Sequence, residues 1–263
     1  VDGVVLGSST FWVTEIDGDN DEGNDRDFLR DLSGTFPIDG FPSARHAACM
    51  KTSSDAEVRQ LYDDFVDHYS EMMDSEIDLP IYADLLSRLS ERVAALPGPV
   101  VDTSCGSGHM LARYHERHDP ARSLVGIDLS PRMVAIAGAR LGANAEILLG
   151  DMRSLVGVAT SSAAAVLSFF AIQHIDPDDA LKALREWRRA LCPGGVLLIA
   201  AWEGAGAVDY GGRFDAVARR YTEDEVSNWA REAGFVVDRC VVEPVEGFPM
   251  DALYLEGSKT AST

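Results

Sequence analysis

A short turn of small residues, 102–108, is the first segment of this chain whose residue types could bind a ligand. It reads Asp-Thr-Ser-Cys-Gly-Ser-Gly and directly follows two valines. Small side chains let a ligand approach the backbone, and a helix that begins after such a turn points free N–H groups and a positive dipole end at the ligand. The turn predicts a ligand site, and on its own it would suit a dinucleotide pyrophosphate equally well.

Two residues argue against a dinucleotide at this turn. The dinucleotide fingerprint needs a small residue three positions after its second glycine, and the residue at that distance from Gly108 is Leu111. Asp102 stands at the end of the apolar run, where its carboxylate would repel a pyrophosphate. The same carboxylate favours a cationic ligand such as an amine or a sulfonium.

A second acid, Asp128, ends the next apolar run. It follows Asp102 by 26 residues, which is close to the separation of roughly 20 residues between a glycine-rich turn and a ribose-binding acid. A carboxylate that accepts two hydrogen bonds suits a ribose diol. The alternative is a helix cap, but Ser130 already fills that position.

Five segments, taken in order, resemble the motifs of class I S-adenosylmethionine-dependent methyltransferases. The turn resembles the family's D/E-x-G-x-G-x-G, with Ser104 in place of the first glycine. The Ser104 side chain narrows the turn and requires a negative φ at that residue, so cofactor binding is expected to be weakened or shifted. The other four segments are 125–131, 149–152, 168–175 and 191–198. The resemblance covers about residues 54 to 257.

The resemblance implies a role for most of these motifs. Asp128 is expected to accept the ribose hydroxyls, Asp151 to contact the adenine amino group, and Met152 to pack on the ring. Two alternatives remain open: Asp151 is a solvated turn residue, or Tyr62 and Tyr69 are core residues. The residues expected to bind S-adenosyl-L-methionine are Tyr62, Tyr69, Asp102, Ser104, Cys105, Gly106, Asp128, Leu129, Met133, Asp151, Met152 and Phe170.

His174 is the candidate catalytic residue, because the resemblance places its segment beside the methyl group. Its ordinary pKa of about 6.5 suits proton transfer near neutrality. The alternative is that it packs or orients without titrating, and Tyr69 and Tyr210 are other candidate bases. The histidines of the first crossover helix are expected at the surface: His109, His115 and His118.

The elements that must position these residues follow from the apolar pattern. A capping box, Ser54 with Glu57, and helical spacing predict a helix over 54–74, and Pro80 opens another over 81–96. Seven apolar runs then alternate with helices, at 100–102, 124–128, 146–149, 164–169, 196–202, 235–242 and 252–255. Strands alternating with helices predict a doubly wound α/β fold with a mostly parallel, Rossmann-like sheet of seven strands beneath an N-terminal helical cap. The resemblance implies that the last strand is antiparallel.

Charge and cysteine usage exclude several classes of partner. With 43 Asp and Glu against 23 Lys and Arg, the net charge is −20, which repels nucleic acid and anionic lipid. No apolar stretch reaches the roughly 18 residues of a membrane span. The four cysteines lie far apart, which indicates neither a zinc site nor a disulfide framework and favours a cytoplasmic location.

The chain is predicted to divide into an acidic N-terminal extension, 1–49, and a methyltransferase domain, 50–263. Four aspartates of the extension alternate like a calcium loop, but Glu22 and Phe28 stand where that loop needs a glycine and a bidentate glutamate. We therefore expect a solvated acidic segment and no metal.

The expected function is methyl transfer from S-adenosylmethionine to a small molecule, whose acceptor atom the sequence does not identify. A glycine-rich stretch, 203–221, would form a mobile wall of the substrate pocket. One alternative is an inactive cofactor-binding paralogue that serves as a partner or regulatory subunit. The other alternative is a nicotinamide-dependent oxidoreductase, which Asp102 and Leu111 disfavour.

Overall fold

The computed structural model describes residues 53–209, 217–245 and 250–261. The acidic extension with its calcium-like aspartates and the candidate base Tyr210 lie outside these ranges. Among the described residues, no helix combines the length and apolarity needed to cross a bilayer.

Three helices form an N-terminal cap: α1 Asp55–Asp64, α2 Val66–Glu76 and α3 Pro80–Val93. The predicted capping box is confirmed, since Ser54 accepts from the Glu57 N–H and the Glu57 carboxylate accepts from the Ser54 N–H. The prediction of one helix over 54–74 is wrong at Phe65, where φ of −101° and ψ of 6° separate α1 from α2. At that break Asp63 is held to another element, through Ser130 and Arg132.

Nine strands form one large sheet and one small ribbon. The strands are β1 Val100–Asp102, β2 Leu124–Asp128, β3 Ala145–Leu149, β4 Ala163–Phe169, β5 Leu191–Trp202, β6 Ala207–Asp209, β7 Val217–Arg219, β8 Phe235–Pro244 and β9 Asp251–Lys259 among the residues that the structure describes. The large sheet has seven strands in the order β3-β2-β1-β4-β5-β9-β8. Strands β1 to β5 pair in parallel, whereas β9 runs antiparallel to both β5 and β8. The expected doubly wound, mostly parallel sheet with an antiparallel last strand is confirmed.

Helices cover both faces of this sheet. They are α4 His109–Arg117, α5 Pro131–Leu141, α6 Pro177–Ala190 and α7 Glu223–Glu232. One apolar cluster contains Trp187 of α6 and Val226 of α7. A second contains Leu86 of α3, Tyr114 of α4 and Leu141 of α5. The sheet therefore has a buried core on each side, which explains its near-continuous apolar strands.

Two departures from the sequence pattern concern the fifth strand and the segment after it. Strand β5 begins at Leu191, which pairs with Ala163, but Val196 already pairs with Ala165. The intervening residues therefore bulge out of the ladder, as a glycine pair permits. The stretch expected to be a loop contains the small antiparallel ribbon of β6 with β7.

The strand order reverses between β1 and β4, which lie side by side although β2 and β3 come between them in the chain. Ligands of open α/β sheets bind outside the carboxyl ends of the strands at such a reversal. The turn 102–108 follows β1, and the segment with His174 follows β4. The fold thus brings the two predicted ligand segments to one edge.

Candidate functional site

Two clefts meet at Ser104, above the carboxyl ends of the central strands. The first, which we call the β3 cleft, is lined by residues that include Ser104, Leu129, Asp151, Met152, Arg153 and His174. The second, the β1 cleft, is lined by residues that include Tyr69, Asp102, Ser104, Cys105, His109 and Phe170. Helix α1 contributes Asp55 and Val58 to the β3 cleft, and α2 contributes Tyr69 and Met73 to the β1 cleft. An elongated ligand that occupied both clefts would lie beneath the cap.

Asp102 places a carboxyl group at the floor of the β1 cleft. The residue is 2% exposed, and its Oδ1 accepts the Ser104 N–H at 3.2 Å. Burial, with a smaller contribution from the neighbouring Asp128, raises the pKa of Asp102 to about 7, although the Ser104 N–H opposes the rise. The carboxylate form is therefore costly in the protein alone and would be stabilised by a cation beside it.

The turn after β1 needs glycine at position 106 but not at 104. Among the described residues, Ser161 and Phe170 are the only ones other than glycine with a positive φ. Ser104 therefore does not have a positive φ, as expected. Gly106 has φ of +52°, and a Cβ built there would lie 3.1 Å from Cε1 of Tyr69. The substitution of the family's first glycine by serine is thus compatible with the backbone, and Tyr69 packs directly on the turn.

Asp128 ties the second strand to this turn. Its Oδ2 accepts the Gly106 N–H at 2.8 Å, and its Oδ1 accepts the Ser130 N–H at 2.9 Å. Burial raises the pKa of the carboxyl, while hydrogen bonds from the backbone of Ser130, Gly106 and Leu129 oppose the rise. A carboxylate has about four acceptor positions, so one or two remain for the hydroxyls of a diol. Ser130 caps α5 by accepting the Met133 N–H, as predicted.

A hydrogen bond joins Tyr62, in helix α1 of the cap, to His174, which follows strand β4. The Tyr62 hydroxyl lies 2.9 Å from Nε2 of His174, and the two rings are perpendicular with centroids 5.5 Å apart. Burial lowers the pKa of His174 to about 4, so the ring is neutral at physiological pH. Its Nδ1 is buried, and no hydrogen-bond partner for it lies among the residues that the structure describes.

Aromatic side chains continue from this pair along the edge of the sheet. The ring of Tyr69 meets that of Tyr62 edge to face at 5.8 Å, although the helix break lies between them. On the other side, Phe170 packs on Trp202 with centroids 4.8 Å apart. Phe170 also holds φ of +49°, a backbone conformation that is strained for an aromatic residue and typical of functional sites.

The structure brings most of the predicted site residues to one place. The β3 cleft contains Ser104, Leu129, Asp151, Met152 and His174, and the β1 cleft contains Tyr69, Asp102, Ser104, Cys105 and Phe170. Gly106, Asp128 and Tyr62 line neither cleft; Gly106 lies against Tyr69 and Tyr62 bonds to His174, both of which do, while Asp128 holds Gly106. Met133 lines neither cleft and is only 1% exposed.

Sequence reasoning missed His109 and Arg153. The expectation that His109 lies at the surface is wrong, because its ring is buried between the Ser107 hydroxyl and the Asp74 carboxylate, at 2.7 Å from each. Its place directly after the glycine-rich turn was the available signal. Arg153 binds Asp151 and also Asp55. The partner Asp55 is 98 residues away in the chain, and no local pattern indicates such a contact.

Part of the chain is similar to known methyltransferase domains. Residues 100–195 match a family model described as "Methyltransferase domain". A carboxy-S-adenosyl-L-methionine synthase of Chromohalobacter salexigens is 32% identical over 130 residues, which are 46% of this chain and 47% of that protein. A trans-aconitate 2-methyltransferase of Deinococcus radiodurans is 35% identical over 116 residues, 44% of this chain and 41% of that protein. The chain thus spans about half the length of these curated relatives.

Solved structures share the fold over a longer stretch. The cyclase SpnF superposes with a TM-score of 0.65 at 17% identity, over 81% of this chain and 99% of that one. The 1,6-didemethyltoxoflavin-N1-methyltransferase of Burkholderia thailandensis, solved with S-adenosylhomocysteine, gives a TM-score of 0.61 at 22% identity, over 85% and 94% of the two chains. At these identities the likeness concerns the fold.

Proposed function

We propose that the chain, whose residues 100–195 match a methyltransferase-domain model, belongs to the class I S-adenosylmethionine-dependent methyltransferase family and transfers a methyl group from this cofactor to a small-molecule acceptor. The observation that carries the proposal is the row of acids at the ends of three neighbouring strands, Asp102 after β1, Asp128 after β2 and Asp151 after β3. They face, in order, the cationic, ribose and adenine parts that this cofactor presents.

The residues of the two clefts fit each part of the cofactor. Asp102 is a buried carboxyl group with little to stabilise its charge, and the ammonium and sulfonium groups would do so. Asp128 retains one or two acceptor positions for the ribose diol. Leu129 and Met152 supply apolar contacts in the β3 cleft for the flat adenine ring. When bound, S-adenosylmethionine supplies an electrophilic methyl group on a positively charged sulfur.

The protein's part in such a displacement is to position the two reactants and to exclude water. Cap residues from α1 and α2 line both clefts, so the closed cap covers the reacting groups. Tyr69, packed on Gly106, and Phe170, held in a strained conformation, restrict the space beside Asp102. A compact space of this kind favours a small acceptor over a protein or nucleic acid.

His174, which lines the β3 cleft, is proposed to take up the proton that the acceptor releases, with Tyr62 positioning its ring. In the tautomer that carries its proton on Nε2, His174 donates to the Tyr62 hydroxyl oxygen. Its Nδ1, which has no partner among the described residues, would then accept the acceptor's proton. With a pKa of about 4, His174 is a weak base, so this transfer accompanies formation of the new bond.

The domain is proposed to span 50–263, with the acidic extension over 1–49 outside it. Cys105, Cys192 and Cys240 are free thiols, which supports a reducing compartment such as the cytoplasm. No observation favours the alternative of a catalytically inactive paralogue.

The first test is calorimetric titration with S-adenosylhomocysteine. We expect binding to the wild-type chain and a loss of about 1.5–3 kcal/mol for Asp128→Ala, because a charged acceptor of two hydroxyls is removed. Asp178→Ala, at an exposed position in the first turn of α6, is the matched control and should bind like wild type.

Transfer is tested with methyl-labelled S-adenosylmethionine and a panel of alcohols, amines and carbon acids. Label recovered in a small product supports the function. A chain that binds NADH but not S-adenosylhomocysteine would refute it, and binding without transfer to any acceptor would favour the inactive paralogue.

A further inference from the structure

One guanidinium, that of Arg153, joins three carboxylates from three parts of the fold. Its Nη2 lies 2.7 Å from Oδ2 of Asp151 and 2.5 Å from Oδ2 of Asp55, and its Nη1 lies 2.7 Å from Oδ2 of Asp179. Asp151 follows β3, Asp55 begins α1 of the cap, and Asp179 lies in the first turn of α6. The Arg153 side chain is 16% exposed, so these contacts are largely shielded from water.

Arg153 fixes the Asp151 carboxylate more completely than an ordinary ion pair does. Oδ1 of Asp151 accepts the backbone N–H of Arg153 at 2.7 Å, and Oδ2 accepts its Nη2–H at 2.7 Å. The Nε–H of Arg153 is shared between Oδ1 at 2.9 Å and Oδ2 at 3.0 Å. Burial raises the pKa of Asp151, but these hydrogen bonds outweigh burial and hold the pKa below its usual value. Three N–H groups of Arg153 thus occupy a carboxylate that has about four acceptor positions, which leaves about one for a further donor.

The three contacts differ in how easily they release. Asp55 is 54% exposed, and solvent weakens ion pairs of that kind. The contact to Asp151 is bidentate and reinforced by the backbone, which gives it a fixed geometry. Three carboxylates around one guanidinium also repel one another. Release of Asp55 as the cap opens would therefore leave the Asp151 contact intact.

We propose that Arg153 is a positioning residue of the cofactor site, which fixes the Asp151 carboxylate so that its remaining acceptor position receives the adenine amino group, and which ties that carboxylate to the closed cap through Asp55. The proposal rests on the proposed function, since it takes adenine as the ligand of the β3 cleft. It adds Arg153 as a residue that contacts Asp151, the proposed partner of adenine, and that couples recognition of adenine to closure of the cap.

A purely structural arginine would behave differently from a positioning residue. Loss of a structural ion-pair centre lowers stability and weakens every ligand of the site by a similar factor. Loss of a residue that orients Asp151 lowers selectivity for a base that carries an amino group. The selective readout is therefore the ratio of the affinities for an adenine ligand and a hypoxanthine ligand. Hypoxanthine carries an oxygen in place of the amino group of adenine.

The experiment titrates S-adenosylhomocysteine and S-inosylhomocysteine into wild type, Arg153→Met, Arg153→Lys and Asp55→Asn. The control is Arg189→Met. Arg189 also bridges a carboxylate, that of Glu186, and a backbone oxygen, that of Val158, but it lies near the opposite ends of the strands. Thermal denaturation of each variant establishes that it is folded. Should Arg153→Met fail to fold, Arg153→Lys keeps the charge and loses the planar fork.

Wild type should prefer the adenine ligand. Arg153→Met should reduce that preference by about ten-fold, mainly through weaker binding of S-adenosylhomocysteine, with Arg153→Lys intermediate and Arg189→Met unchanged. Asp55→Asn should speed dissociation of both ligands alike, measured by stopped flow, because only the contact to the cap is lost. An unchanged preference in both Arg153 variants, or equal weakening of the two ligands, would overturn the proposal. A wild-type chain that binds neither ligand would instead overturn the proposed function itself.

Discussion

Cofactor affinity should depend on pH through Asp102. Burial is the largest cause that raises the pKa of this carboxyl to about 7 in the protein alone, and both S-adenosylmethionine and S-adenosylhomocysteine carry an ammonium group that the proposed site places beside it. If binding requires the carboxylate, the protein must lose a proton from Asp102 whenever it binds below that pKa. Affinity is then at its maximum above pH 7 and falls as the pH drops below it.

The size of the effect follows from the fraction of Asp102 that is ionised. With a pKa of about 7, roughly one molecule in eleven carries the carboxylate at pH 6 and ten in eleven at pH 8. The dissociation constant for S-adenosylhomocysteine should therefore be about ten-fold higher at pH 6, a difference of about 1.4 kcal/mol. His174 stays neutral across this range, because its pKa is about 4.

Calorimetry between pH 6 and 8 measures this dependence directly. Titrations at pH 6 in two buffers of different ionisation enthalpy should report release of about 0.9 proton per ligand bound. Asp102→Asn keeps a side-chain oxygen for the Ser104 N–H but cannot titrate, so its affinity should be weaker at pH 8 and constant across the range. A constant dissociation constant in wild type, or the same slope in Asp102→Asn, would show that no buried carboxylate at this position meets the ligand's cation.

Two further sets of substitutions test the catalytic pair and the turn. His174→Ala should lower kcat while leaving the affinity for S-adenosylhomocysteine within about two-fold. Tyr62→Phe should also lower kcat, and the double variant should lose no more than the His174 variant, because the two residues act as a unit; additive losses would show that they act separately. The kcat of the wild type should fall with a midpoint near pH 4 as His174 is protonated. Gly106→Ala should weaken cofactor binding by about ten-fold, because the new methyl group meets Tyr69 and φ is +52°. Gly138→Ala, in a helix with nothing within 4 Å, is its control and should be neutral or stabilising by up to about 1 kcal/mol. Equal effects of the two glycine substitutions would remove the steric argument.

Local chemistry was sufficient to predict which residues converge. Asp102, Asp128 and Asp151 each follow an apolar run, and in a parallel sheet the carboxyl ends of neighbouring strands meet at one edge. The caps at Ser54 and Ser130 also follow from residue type and spacing, because each bonds within three residues of itself. These features depend on contacts that are close in the chain.

Features that depend on distant contacts were not predictable from the sequence. The helix break at Phe65 has no proline or glycine to mark it, and it lies beside the contact of Asp63 with Ser130, 67 residues away. The ribbon β6–β7 has strands of three residues each, too short for a periodic signal. His109 and Arg153 acquire their roles from Asp74 and Asp55, and exposed aspartates on a helix ordinarily indicate only a solvated face.

The buried acids themselves argue for the charge of the ligand. Asp102 and Asp128 are brought close enough that the second raises the pKa of the first, an arrangement that costs free energy in the protein alone. A pyrophosphate would add negative charge to two buried carboxyl groups and increase that cost. A ligand with a cation beside Asp102 and a neutral diol beside Asp128 reduces the cost at the first position and adds none at the second. The site is thus most stable when occupied by a molecule that is positive at one end and uncharged at its ribose, which is the property that distinguishes S-adenosylmethionine from a dinucleotide.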